Sequence, residues 1–141
     1  MIAYKTTQNG NAIKISAHDG DNEVGYCEIS RVLETADIIN IEVQPSYRRQ
    51  GIGREILTRI IEIACDCGVE TITLEVRKSN VAAQSLYKSL GFSEISVREH
   101  YYPDKEDAII MQLKCCPNGH PGNLPVADLA ANPLDGLQKC L

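Results

Sequence analysis

The chain has 141 residues, a formal net charge of −5 from 14 basic and 19 acidic side chains, and 43% hydrophobic residues. That length and apolar share suit one domain with an ordinary core, and the acidic balance excludes a global electrostatic footprint for nucleic acid or an anionic membrane surface. No apolar run reaches the ~18 residues of a membrane span, and the opening MIAYKTTQNG lacks the charged and apolar segments of a secretion signal, so the cytoplasm is the expected location.

Residues 1 to 6 and 12 to 17 are β-prone stretches around Gln8-Asn9-Gly10-Asn11, and Asn-Gly is a strong hairpin signal. Asp19-Gly20-Asp21-Asn22 turns the chain again, into a strand from Glu23 to about Leu33 and another from Ala36 to Val43. An antiparallel meander follows from this order. Pro45 ends the last strand, and Ile52, Ile56, Leu57, Ile60, Ile61, Ile63 and Ala64 recur at helical spacing until Gly68, which predicts a helix over about 52 to 67. Thr71 to Arg77 alternates as a strand, with Ile72, Leu74 and Val76 on one face and Thr73, Glu75 and Arg77 on the other. Ser79 or Asn80 caps a second helix, Val81 to Leu90, closed by Gly91. Strands are expected over Ser93 to Arg98 and Ala108 to Lys114, joined by the turn-rich connection Tyr101 to Asp107.

Beyond Lys114 the composition changes: four of the six prolines fall there and no aromatic does. The domain is therefore drawn as 1–114, with 115–141 a tail of uncertain order. Of the six cysteines, Cys65 and Cys67 share a helical pattern and Cys115 and Cys116 are adjacent, a poor disulfide framework, so buried or reduced thiols are expected. His18, His100 and His120 lie in separate segments and fit no ligand spacing, so no metal is expected.

The stretch SYRRQGIGREIL, residues 46 to 57, places two glycines and three arginines at the start of the first helix. Glycines there let backbone approach a ligand, and the first helical N–H groups point outward at partial positive charge. Arg48, Arg49 and Arg54 add cations suited to a pyrophosphate. The spacing is neither a P-loop nor the three-glycine dinucleotide fingerprint.

Arg48-x-x-Gly51-x-Gly53, between a strand and a helix, resembles the acetyl-CoA signature R/Q-x-x-G-x-G/A of the GNAT N-acetyltransferase superfamily. LEVRKSNVAAQSLYKSLGF (74 to 92) and YYPDKEDAIIMQL (101 to 113) are similar to the matching stretches of its RimI branch, which acetylates the N-terminal alanine of a ribosomal protein. The resemblance covers about residues 23 to 114. It implies an α/β (α+β) fold with a mixed, mainly antiparallel sheet, a splayed central strand pair and flanking helices. It also implies acetyl-CoA as co-substrate and an amine acceptor, either a protein N-terminus or a small-molecule or lysine amine, with a non-enzymatic acetyl-CoA-binding module as the remaining alternative.

By the same resemblance, the strand ending Ile41-Glu42-Val43 pairs with the pantetheine arm as an added strand would. The pyrophosphate falls to the turn Arg48, Arg49, Gln50, Gly51, Ile52, Gly53 and Arg54, with Asn80 a further cofactor contact. Glu75 corresponds to the general base, Tyr87 to the general acid beside the CoA sulfur, and the Val43 N–H to the donor for the carbonyl. Tyr101 and Tyr102 correspond to tyrosines lining the acceptor slot. One departure is visible: the family has two helices ahead of the meander, and the residues here before the meander's second turn show no helical periodicity. A sheet face left without those helices is expected to need cover, from residues 123 to 141 of the same chain or of a second subunit in a homodimer.

Overall fold

The computed structural model describes residues 1–115. Its elements are β1 (Ile2–Asn9), β2 (Ala12–Asp19), β3 (Asn22–Val32), β4 (Thr35–Val43), a single 3₁₀ turn (Pro45–Tyr47), α1 (Ile52–Asp66), β5 (Thr71–Arg77), α2 (Val81–Ser89), β6 (Ser93–Arg98) and β7 (Ala108–Lys114). The seven strands form one sheet in the order β1-β2-β3-β4-β5-β7-β6. β4 and β5 are parallel and every other pair is antiparallel, so the mixed α/β fold has the predicted form.

The meander is built on two-residue turns. Gly10 and Gly20 take the first central position of the first two, at φ 61° and 64°, where a left-handed backbone favours glycine. The Asn9-Gly10 signal is therefore displaced by one residue: Asn9 ends the strand opposite Ala12, and Gly10-Asn11 make the turn. The third turn uses Leu33 at φ 56°, an exposed leucine that no turn rule would choose.

Strand register sorts the side chains onto two unlike faces. Ile13, Ile15, Cys27, Ile29, Ala36, Ile72, Leu74, Val76, Met111 and Leu113 are buried on one face, under Ile52, Ile56, Leu57, Ile60, Ile61, Ala64 and Cys65 of α1 and Tyr87 of α2. Both crossovers, β4-α1-β5 and β5-α2-β6, step across the sheet in the same direction, so right-handed connections put both helices on this face. The opposite face carries Lys14, Tyr26, Glu28, Ser30, Asp37, Asn40, Glu42, Thr73, Glu75 and Arg77, as the paired positions show. The premise that this face is apolar and needs cover is thus corrected: its residues are mostly polar, and some bond one another or a neighbour, as Asn40 Nδ2 donates to the Tyr26 hydroxyl at 2.8 Å and Lys14 pairs with Glu23 at 3.0 Å. The expected fold-back of residues 123 to 141 lies outside the described residues.

A second correction concerns the cysteines. Cys65, at the end of α1, and Cys115, just past β7, form a disulfide with Cα atoms 5.6 Å apart. Sequence adjacency hid the pairing, since it is the register of β7 on β5 that brings position 115 beside α1. Cys27 is free and buried.

Candidate active site

β4 and β5 pair only at their beginnings, through Thr35 with Thr71, Ala36 with Ile72 and Asp37 with Thr73. Beyond Asp37 the two strands part, leaving residues 38–43 and 74–77 to line a wedge that opens toward the start of α1. The expected splay is present. A bulge contributes to it: Ile29 faces Ile38 but Glu28 faces Asn40, so Ile39 is the extra residue. The bulge exchanges the faces of β4, so that Ile41 and Val43 turn toward the helices where unbroken alternation would place Asn40 and Glu42.

The backbone direction at the wedge follows from one bond. Gln44 N–H donates to the Val24 carbonyl on β3 at 2.8 Å, and in an antiparallel pair neighbouring residues point to opposite sides, so Val43 directs its N–H and C=O away from β3 into the wedge. The Arg48 Nε donates to that Val43 carbonyl at 2.9 Å. This leaves the Val43 N–H open to the wedge, and by the same alternation that of Ile41.

At the mouth of the wedge, Gly51 is the N-cap of α1 at φ 82°, a left-handed conformation, and Glu55 N–H makes the first helical bond, to its carbonyl at 3.0 Å. The N–H groups of the first turn before Glu55 are therefore presented outward. Arg49 also takes a left-handed conformation, φ 63°, and its exposed guanidinium has no side-chain partner among the described residues. Arg54 donates to the Ser89 hydroxyl at 2.9 Å, tying α1 to α2, and Gln50 reaches the Ser46 carbonyl at 3.4 Å. Ile52 is buried, so only its backbone is available to a ligand. Gly53 lies against Val43, but a methyl there would sit 3.7 Å from Val43 Cγ2, ordinary contact, which fits a signature that tolerates alanine at this place. Asn80 caps α2 by accepting the Ala83 N–H at 3.1 Å, which settles the choice between Ser79 and Asn80.

Glu75, exposed on the polar face of β5, looks toward the tyrosine pair of the β6–β7 connection. Acting as hydrogen-bond acceptor and as a nearby charge, its carboxylate holds the Tyr101 phenol above the usual range; burial and then the same carboxylate raise Tyr102. The two rings meet edge to face at 5.1 Å. Tyr87 comes from the helix side, buried and edge-on to Phe92 at 5.9 Å. Burial pushes its phenol up to about 12, with Cys27 and Tyr102 adding smaller effects in the same direction. Burial likewise pushes the Cys27 thiol up to about 12, which keeps it protonated and unfit as a nucleophile at neutral pH. Among the described residues no group of three His, Cys, Asp or Glu side chains could hold a metal ion, and no helix is long and apolar enough to cross a membrane.

Three features escaped the sequence reading: the bulge at Ile39, the capture of the Val43 carbonyl by Arg48, and an ion-pair cluster centred on Arg77. Only the bulge has a local signal, since the apolar positions of β4 run Ala36, Ile38, then Ile41, Val43, breaking the two-residue period once.

A parallel strand pair that splays beside a glycine-started helix is the arrangement expected of an acyl-CoA-dependent N-acyltransferase. Comparison with known proteins agrees: the profile of the acetyltransferase (GNAT) family matches residues 4–92, and the chain belongs to that family. It is 52% identical over 115 residues to the [ribosomal protein bS18]-alanine N-acetyltransferase of Escherichia coli K12, spanning 79% of this chain and 70% of that protein. The crystal structure of the Escherichia coli ribosomal-protein-S18-alanine N-acetyltransferase superposes with a TM-score of 0.71 at 38% identity, covering 84% of this chain and 77% of the other. A putative streptothricin acetyltransferase from Bacillus anthracis, solved with acetyl coenzyme A, matches at TM-score 0.67 and 25% identity over 75% of this chain and 64% of its own. The chain is an acetyl-CoA-dependent N-acetyltransferase of RimI-like character.

Proposed function

We propose that the acceptor is a protein N-terminal α-amine, and specifically an N-terminal alanine of the kind named for the bS18-modifying relatives. The observation that carries this reading is the placement of Tyr101 and Tyr102 against Glu75 at the open end of the wedge. Two phenols and a carboxylate there suit a short peptide end whose amine must reach a base.

Acetyl-CoA supplies the activated acyl group as a thioester. The free edge at Ile41, Glu42 and Val43 binds its pantetheine arm as a neighbouring strand would. Arg49 and the N–H groups from Gly51 to Arg54 hold the pyrophosphate, Arg48 and Gln50 shape the turn, and Asn80 adds a contact beside its capping role. Glu75 takes the proton that leaves the ammonium before attack, directly or through one water. The Val43 N–H donates to the carbonyl oxygen as negative charge grows there. Tyr87, kept neutral by burial, gives its proton to the departing thiolate. In this reading the transfer is direct to the amine, and the buried Cys27, its thiol pushed up to about 12, takes no part. A ribosomal acceptor places the working enzyme in the cytoplasm.

The deciding experiment compares kcat/KM with acetyl-CoA for an Ala-start peptide, a Ser-start peptide, a peptide with a blocked N-terminus and internal lysine, and a polyamine. The Ala-start peptide is expected to be acetylated fastest. Faster turnover of the polyamine or of the internal lysine overturns the reading in favour of a small-amine or lysine acceptor.

A further inference from the structure

We propose that Arg77 is a positioning residue for the acceptor: by clamping the β6–β7 connection onto β5 it sets where Tyr101 and Tyr102 stand relative to Glu75. The inference rests on the reading of those tyrosines as the acceptor slot. Arg77 and Glu75 are two apart on β5 and so share its polar face. The Arg77 Nη1 donates to Asp104 Oδ2 and to Glu106 Oε1, each at 2.9 Å, while its guanidinium carbon lies 4.1 Å from the centroid of the Tyr102 ring. One planar cation therefore holds two carboxylates and one aromatic face of the same loop.

Glu106 completes the clamp from the other side. Its Oε2 accepts the Ser79 N–H at 2.8 Å, and its carbonyl accepts the Tyr102 N–H at 3.2 Å. The Glu106 N–H donates to Asp104 Oδ1 at 3.1 Å, and Lys78 N–H donates to the Asp107 carbonyl at 3.1 Å. The hydrogen bonds and the Arg77 charge hold the Glu106 carboxyl below the usual carboxylate range. The loop needs such restraint, because His100 and Lys105 both occupy left-handed backbone, φ 53° and 72°, without being glycine. Tyr102 is thus held by the Arg77 cation over its ring, within reach of the Glu75 charge. Lysine at position 77 would keep the charge but lose the fork and the flat face.

The test uses Arg77→Ala, Arg77→Lys and the intact chain, with steady-state kinetics in both substrates and amide hydrogen exchange measured without acceptor. Arg77→Ala is expected to raise the acceptor KM ~10- to 100-fold by misplacing the slot. The acetyl-CoA KM should stay the same, and faster exchange should be confined to residues 99–107. Arg77→Lys should fall between the two. An unchanged acceptor KM, or an acetyl-CoA KM that rises in parallel, overturns the inference. If the intact chain prefers a polyamine to any peptide, the peptide reading falls on that result alone, and the clamp is judged by the same variants on the polyamine KM.

Discussion

Glu75 lies on the polar face of β5 and Tyr87 in the core on the helix side, and under the proposed function these surroundings would divide the acid–base work between them. The carboxylate is exposed, as the proposed base must be to meet an incoming amine, whereas the phenol is buried, as suits the proposed acid. Glu75→Gln keeps the shape and removes the base, so kcat on the best acceptor should fall ~100- to 10,000-fold while acetyl-CoA affinity is preserved. A Glu75→Gln enzyme that turns over at the wild-type rate across the pH range would remove the base assignment. Tyr87→Phe should lower kcat without altering the shape of the pH profile between about pH 6 and pH 9, because a phenol raised to about 12 is neutral throughout that range. The sign for stability follows from the same shift. A folded pKa above the unfolded value of 10.0 adds stability that is complete below about pH 10 and is lost as the pH climbs toward 12. An alkaline limb that disappears in Tyr87→Phe would show that this phenol titrates much lower than its burial implies.

The elements were largely legible because each carried its own period: strands at two residues, α1 and α2 at helical spacing, and glycines at the turns. β6 and β7 begin and end where alternation and turn residues place them. Contacts between distant segments were not legible in the same way. Arg77 meets Asp104 and Glu106 across 27 and 29 residues, and no local pattern marks such a pair. Gly25 is a similar case, an ordinary-looking glycine within β3. A Cβ there would stand 3.1 Å from the Glu42 carbonyl oxygen, 3.3 Å from Val43 Cγ2 and 3.4 Å from Ile56 Cδ1, so β3 can lie close under the wedge edge only without a side chain. Gly25→Ala should push residues 42 and 43 outward and cost about 1–3 kcal/mol as an overpacked site. The acetyl-CoA KM should rise with it while the acceptor KM moves less. Should a folded Gly25→Ala enzyme bind acetyl-CoA normally, the edge at 41–43 could not be the pantetheine edge.

Across the whole molecule the two ends of β5 perform separate tasks. Thr71 and its neighbours close the sheet, with β4 on one side and β7 on the other, while Glu75 and Arg77 lie at the far end, where β4 no longer pairs with β5. The polar face that spans both ends could have been anticipated from strand parity, since Tyr26, Glu28 and Ser30 alternate with Cys27 and Ile29; the general need of a sheet for cover was the weaker guide. The Cys65–Cys115 bridge belongs to the closed end, where it joins α1 to the strand beside β5 across 50 residues of chain. At ~3.3 Å per residue of extended chain, the wedge begins about 10 Å away, at Leu74, and its far end at Arg77 lies about 20 Å away. A crosslink of that span stabilises chiefly by restricting the unfolded chain, typically by ~2–4 kcal/mol. Cys115→Ala should therefore lower the melting temperature under non-reducing conditions, converge on the intact chain when reductant is added, and leave both substrate KM values unchanged. A KM that shifts with the bridge would mean that the closed end governs how far β4 and β5 part, making the wedge a compliant element set by the crosslink.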